Sequence, residues 1–250
     1  PGEKPYFVNA LYPSYVISKG ISLGPADGDL CTLETRETNP EMFETTLHSY
    51  KLTHPDHYGP DAYIYITHVS VAKQLARLGL VEDFKNVLYN LAICHTEPRK
   101  IRRKIDAILY KAEKNIEEFE NRLSLVEGFN AVDAQRLGNL TGGLHAGLLQ
   151  DGPGSPDLEP VIRVFPTWPD EWDAEFKLLT SGGFIVSASK ISGNIERVEL
   201  LSQFGGPCRI RNPWEDKMVN VYINGNKLFT TKESMIVIKT NKDDKIKLSL

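Results

Sequence analysis

Cysteine, methionine and tryptophan are scarce in this sequence, with three of each among 250 residues. Cys31, Cys94 and Cys208 lie far apart and form no Cys-x-x-Cys pair, which excludes a zinc knuckle or a disulfide framework and reads them as small buried side chains. An excess of one charge is also missing: 29 Lys and Arg face 33 Asp and Glu, for a net charge of −4. That balance offers no basic field for a phosphate backbone, so nucleic acid is not an expected partner. No run approaches the roughly 20 apolar residues of a bilayer-spanning helix, and no membrane span is expected. The chain opens on Pro1-Gly2-Glu3-Lys4, with neither an initiator methionine nor a charged-then-apolar leader. This start reads as a processed or truncated one, and the expected location is periplasmic or extracellular.

What is present suffices for a substantial core, since 41% of the residues are hydrophobic. Such a length accommodates one large or two smaller domains. The pattern changes character near residue 151. Before it, helical spacing dominates. Asn39-Pro40 is a cap and first-turn pair ahead of Met42, Phe43, Thr46, Leu47 and Tyr50. Gly59-Pro60-Asp61 opens a second helix, with Ala62, Ile66, Val69, Ala72 and Ala76 on one stripe as far as Gly79. Glu82 to His95 reads as a third helix, Pro98 starts a long charged fourth, and a fifth includes Leu140 to Gln150. In that last helix Gly138, Gly142, Gly143 and Gly147 each cost roughly 1 kcal/mol against alanine, a cost that points to close approach by a neighbouring helix or a ligand.

Beyond the turn-rich Asp151-Gly152-Pro153-Gly154-Ser155-Pro156, strand periods take over. Runs from Val161 to Phe165, Phe176 to Leu179, Phe184 to Ala188, Val198 to Leu201, Cys208 to Arg211, Val219 to Ile223, Ile236 to Ile238 and Ile246 to Leu250 make about eight strands at sandwich-like spacing. Asn224-Gly225 lies between two such runs and predicts a tight hairpin, because both residues tolerate positive φ. The expectation is a multi-domain α and β chain, with helices over residues 1–150 and an antiparallel β-sandwich domain over residues 151–250.

The segment from Leu137 through Gly138-Asn139-Leu140-Thr141-Gly142-Gly143 to Gln150, followed by Arg163-Val164-Phe165-Pro166-Thr167-Trp168-Pro169, resembles the end of the catalytic barrel of glycoside hydrolase family 95. Ser181-Gly182-Gly183-Phe184 and the run from Gly206 to Trp214 are similar to strands of that family's β-domain. Asn39 to Phe43 and Ala76 to Gly79 are similar to its late barrel helices. The resemblance implies partial (α/α)6 toroid helices, an inverting hydrolysis and an oligosaccharide or polysaccharide substrate. It implies no cofactor. Such a barrel has about twelve helices where this sequence supplies about five, and at about 25 cal/mol per Å² the uncovered stripes would cost many kcal/mol. The remainder of the enzyme, as an upstream segment or an associated chain, is therefore an expected partner.

Glycosidic cleavage takes two carboxyl functions, one protonating the leaving oxygen and one activating water. The resemblance places the general acid upstream of the segments matched here, so this chain by itself is expected to lack it. The family's base aspartate falls where this sequence has Leu137, and Asp133 is the nearest substitute. A loop salt bridge with Arg136 is the structural alternative for that carboxylate. Gln135, Arg136 and Asn139 carry planar groups that match vicinal hydroxyls. Asn9 and Tyr12 fall in a stretch similar to a loop at the family's barrel mouth, and His68, with Tyr63 and Tyr65, falls near a barrel-helix start. Trp168 and Trp172 suit either packing at the domain junction or stacking on a sugar. His54, Asp56 and His57 lack helical geometry because of Pro55, and no metal site is expected. Leu137 leaves a second class open, a non-catalytic carbohydrate-binding or scaffold protein. A phosphorylase, with phosphate in place of the base, is a third.

Overall fold

The structure is a computed structural model, and it describes residues 40, 41, 43, 44, 47, 48, 71–96, 134–152 and 159–250. The chain divides into two compact units, Pro1–Leu144 and His145–Leu250.

In the first unit, the described residues between Pro40 and His48 are helical, as the Asn39-Pro40 pair predicts. Helix α1 (Val71–Arg77) and helix α2 (Val81–Thr96) follow. The join between them is set by Gly79, whose φ of 70° is open to glycine at little cost. Its N–H donates to Ala76 O at 3.1 Å while Leu80 N–H donates to Leu75 O at 3.0 Å, so the last carbonyls of α1 are satisfied by a Schellman turn. Leu80 O then accepts from Phe84 N–H at 2.8 Å, and α2 starts at once. Glu82 and Asp83 favour that start by facing the positive end of the helix dipole. Ala72, Leu75, Ala76, Phe84, Val87 and Leu88 are buried, as are Phe43 and Leu78, which pack together. The sequence reading expects half-barrel stripes left open, and along α1 and α2 these members are buried instead.

Helix α3 (Ala134–Leu148) includes the residues from Leu140 to Leu148 that the sequence assigns to it, and Gly138 and Asn139 also lie inside it. At Gly143 a Cβ would sit 2.6 Å from Ala72 Cβ, so the glycine is required by the approach of α1. Gly138 and Gly142 meet nothing within 4 Å and have no such requirement.

The second unit takes up the end of α3. The Gly147 and Leu148 carbonyls, orphaned at a helix terminus, accept from Thr167 N–H at 3.5 Å and Phe165 N–H at 2.7 Å. Gln150 Nε2 reaches back to Ala146 O at 2.9 Å. Leu149–Gln150, which the sequence assigns to the helix end, is instead strand β1, paired antiparallel with β2 (Arg163–Val164). The helical period runs on through Leu149, and only this pairing shows where it stops.

The remaining strands are β3 (Ala174–Leu179), β4 (Phe184–Ile191), β5 (Asn194–Ser202), β6 (Gly206–Arg211), β7 (Val219–Ile223), β8 (Asn226–Thr231), β9 (Met235–Thr240) and β10 (Lys245–Ser249). Six of them form one antiparallel sheet in the order β3-β4-β5-β10-β7-β8. The facing layer is the β6-β9 pair, extended by a parallel bridge from Ile162 to Ile210. Every second residue of β4 points inward, so Phe184, Val186 and Ala188 are buried while Ile185, Ser187 and Ser189 are half-exposed. Val198, Leu200, Val219, Val221, Ile246 and Leu248 from the large sheet meet Cys208, Ile210, Ile236 and Ile238 from the small one in a single core. Each such side chain contributes about 1.5–3 kcal/mol by leaving water. Ser192-Gly193 and Asn224-Gly225 both turn with positive φ at each residue, which matches the twist of the strands they join.

Candidate functional site

Of the residues that the sequence nominates for chemistry, Asp133, Asn9, Tyr12 and His68 lie outside the described residues, as do Tyr63, Tyr65, His54, Asp56 and His57. Gln135, Arg136 and Asn139 fall in the first turns of α3. Their spacing places positions 135, 136 and 139 on one side of the helix, and continuing by four and by three leads to Gly143 and Ala146. That side is buried further along, at Gly143, Ala146 and Gly147. Three polar positions thus head a stripe that is otherwise small and buried.

In the second unit, several acidic side chains hold strands and turns in place. Lys190 continues the inward row of β4, and its Nζ donates to Asp170 Oδ1 at 2.6 Å and to Trp168 O at 3.1 Å. The pair anchors the Pro166–Asp173 loop, where Trp168 Nε1 donates to Trp172 O at 2.9 Å and the two indoles meet edge to face at 5.5 Å. Trp168 also packs on the sandwich core. Asp244 joins two turns: Oδ2 accepts from Asn241 N–H at 2.7 Å and Oδ1 from Asn224 Nδ2 at 2.8 Å. These bonds, the Asn241 one first, hold its carboxyl below the ordinary carboxylate range. Glu159 pairs with Arg209 at 2.7 Å and Glu175 with Arg197. Asp151 accepts from Ser181 N–H and ties the segment after β1 to the β3–β4 turn.

Sequence reasoning nominated none of these contacts: Lys190–Asp170, Asp244–Asn224, Glu159–Arg209, Glu175–Arg197 and Asp151–Ser181 each join residues far apart in the chain that only the fold brings together. Among the described residues no group of three or more His, Cys, Asp or Glu could hold a metal, and no helix is long and apolar enough to cross a membrane.

No family model and no curated protein matches the chain. Among solved structures it is similar to a GH127 β-L-arabinofuranosidase from Geobacillus stearothermophilus T6, at 13% identity and a TM-score of 0.28. The match covers 72% of this chain but only 30% of the arabinofuranosidase chain. A likeness this loose bears on neither fold nor activity.

Proposed function

We propose that the chain is the C-terminal portion of a glycan-degrading glycoside hydrolase of the family 95-like, inverting kind, with a β-sandwich following the late helices of an (α/α)6 barrel. In this reading Asp133, just ahead of α3, is the base that activates water. Gln135, Arg136 and Asn139 hydrogen-bond sugar hydroxyls, joined by Asn9, Tyr12 and His68. The general acid comes from the rest of the enzyme, upstream or in an associated chain, and the protein acts in the periplasm or outside the cell. The sandwich takes no part in bond breaking. The need for further polypeptide rests here on the missing acid, since Ala72, Leu75, Ala76, Phe84, Val87 and Leu88 along α1 and α2 are already buried.

The observation that carries the reading is the polar head of the α3 stripe. Gln135, Arg136 and Asn139 share the side of the helix whose later positions, Gly143, Ala146 and Gly147, are buried. Residue types with planar amide and guanidinium groups at these positions match vicinal sugar hydroxyls. The test is turnover by the full-length protein, upstream sequence included, on aryl glycosides and oligosaccharides with and without inorganic phosphate. Phosphate-independent release of sugar is the expected result, and Gln135→Ala or Asn139→Ala should raise KM more than they lower kcat. Leu137, at the position of the family's base, favours a second reading in which the protein binds glycans without cleaving them. Saturable binding with no release under any condition would select it, and release that requires phosphate would select a phosphorylase.

A further inference from the structure

The outer edge of the small sheet is β9. Ile162 engages the backbone of Arg209 and Arg211, accepting from Arg211 N–H at 2.9 Å and donating to Arg209 O at 2.8 Å. The even-numbered residues of β6 therefore turn their backbone groups toward β9. There they meet Ile236, Ile238 and Thr240, and Asn212 N–H to Ser234 O at 2.9 Å keeps the same phase. Pro207 stands opposite Lys239, at a position where no N–H toward β9 is required. Met235, Val237 and Lys239 consequently direct their N–H and C=O away from β6, and among the described residues no strand pairs with that edge.

The two edges of the large sheet are blunted. β3 presents the exposed Glu175 and Lys177, and the β7–β8 pairing slips at Val221/Tyr222. β9 is regular and apolar through Met235-Ile236-Val237-Ile238, with Val237 52% exposed and exposed Glu233 and Lys239 at its two ends. Met235, Val237 and Lys239 alternate onto the outer face, and the exposed Glu233 lies two positions ahead of β9, its N–H donating to Thr231 Oγ1 at 3.1 Å.

We propose that β9 is a dimerisation edge, to which a second copy of this chain adds its own β9 antiparallel about a two-fold axis through Ile236. In this register Met235 faces the second copy's Val237, two residues whose outward backbone groups can bond both ways. Glu233 faces the second copy's Lys239, and symmetry repeats that ion pair at the other end. Moving the axis to Val237 would set Met235 against Lys239 and Glu233 against Asn241, losing both pairs. The charge pattern of this edge is thus complementary to itself, which selects a second copy over an unrelated strand. A single strand edge buries less than the about 1,200–2,000 Å² of standard stable complexes, so the dimer should form at micromolar concentrations.

Sedimentation velocity on the full chain tests this, over about 1 to 200 μM, the range in which an interface of this size should dissociate. The expected result is a concentration-dependent monomer–dimer equilibrium. Val237→Pro removes an outward N–H and leaves the β6 ladder intact, so it should weaken association about tenfold or more. Glu233→Lys and Lys239→Glu should each weaken it as well, and the double variant should regain it. Persistent burial of the Cys208 thiol reports that each variant has kept its fold. If Val237→Pro exposes that thiol, the charge variants alone decide. A chain that stays monomeric throughout, a dimer indifferent to these substitutions, or a double variant no better than the singles would overturn the proposal.

Discussion

Cys208 is buried between the two layers of the sandwich, and desolvation pushes its thiol up to about 12. The thiolate is the reactive form, so the native protein should leave Cys208 unmodified by a disulfide-exchange reagent at pH 8. Its labelling should track unfolding in denaturant, and prompt labelling without denaturant would contradict the packed core described here. Asp244 makes an opposite case. Because its native carboxyl is held below the ordinary value of 3.8, its stabilising bonds are fully in place above that value and are lost as pH falls through the lowered native one. Asp244→Asn should therefore flatten the acid limb of a stability-against-pH curve measured by chemical denaturation, and an unchanged limb would remove Asp244 from the account. The roles of Asp244 and Lys190 were not legible in the sequence. Asp244 depends on Asn224, 20 positions away, and Lys190 depends on Asp170 at the same separation. Only the register of the sheet makes these residues neighbours. Cys208 was legible, because a lone cysteine in a strand with period-two apolar neighbours has few other roles.

Strands were the most readable elements. The alternation of Phe184, Val186 and Ala188 with Ile185, Ser187 and Ser189 fixes β4 and its inward face, and Asn224-Gly225 fixes the β7–β8 hairpin. β1 was unreadable for a physical reason. Two residues at the end of a helical period carry no strand signal, and their conformation comes from pairing with β2. The body of α3 was legible from Leu140 to Leu148, although its glycines disfavour a helix. The helix glycines, read alike from the sequence, separate cleanly in the structure. Gly143→Ala forces a Cβ to 2.6 Å from Ala72 Cβ and should destabilise the chain by about 1–3 kcal/mol in thermal or denaturant unfolding. Adding Ala72→Gly should recover most of that loss. Gly138→Ala and Gly142→Ala meet nothing within 4 Å and should each stabilise by up to about 1 kcal/mol. Equal effects at all three positions would contradict the close approach of α1 to α3.

For the whole molecule, the switch from helices to an antiparallel sandwich was legible because composition and period change together after Gln150. The sandwich has its own core, its turns are satisfied by its own residues, and Glu159, Asp170, Glu175 and Asp244 are committed to structure. In the proposed enzyme, chemistry falls to the segment ahead of α3 and to the first positions of that helix. The most direct measurement is the initial rate of sugar release by the full-length protein, wild type against Asp133→Asn, on a glycoside that the wild type cleaves. The proposed role predicts a fall in kcat of about 10²–10⁴-fold with an unchanged unfolding midpoint. Near-normal turnover in the variant, or a wild type that neither cleaves nor binds any glycan, would contradict it.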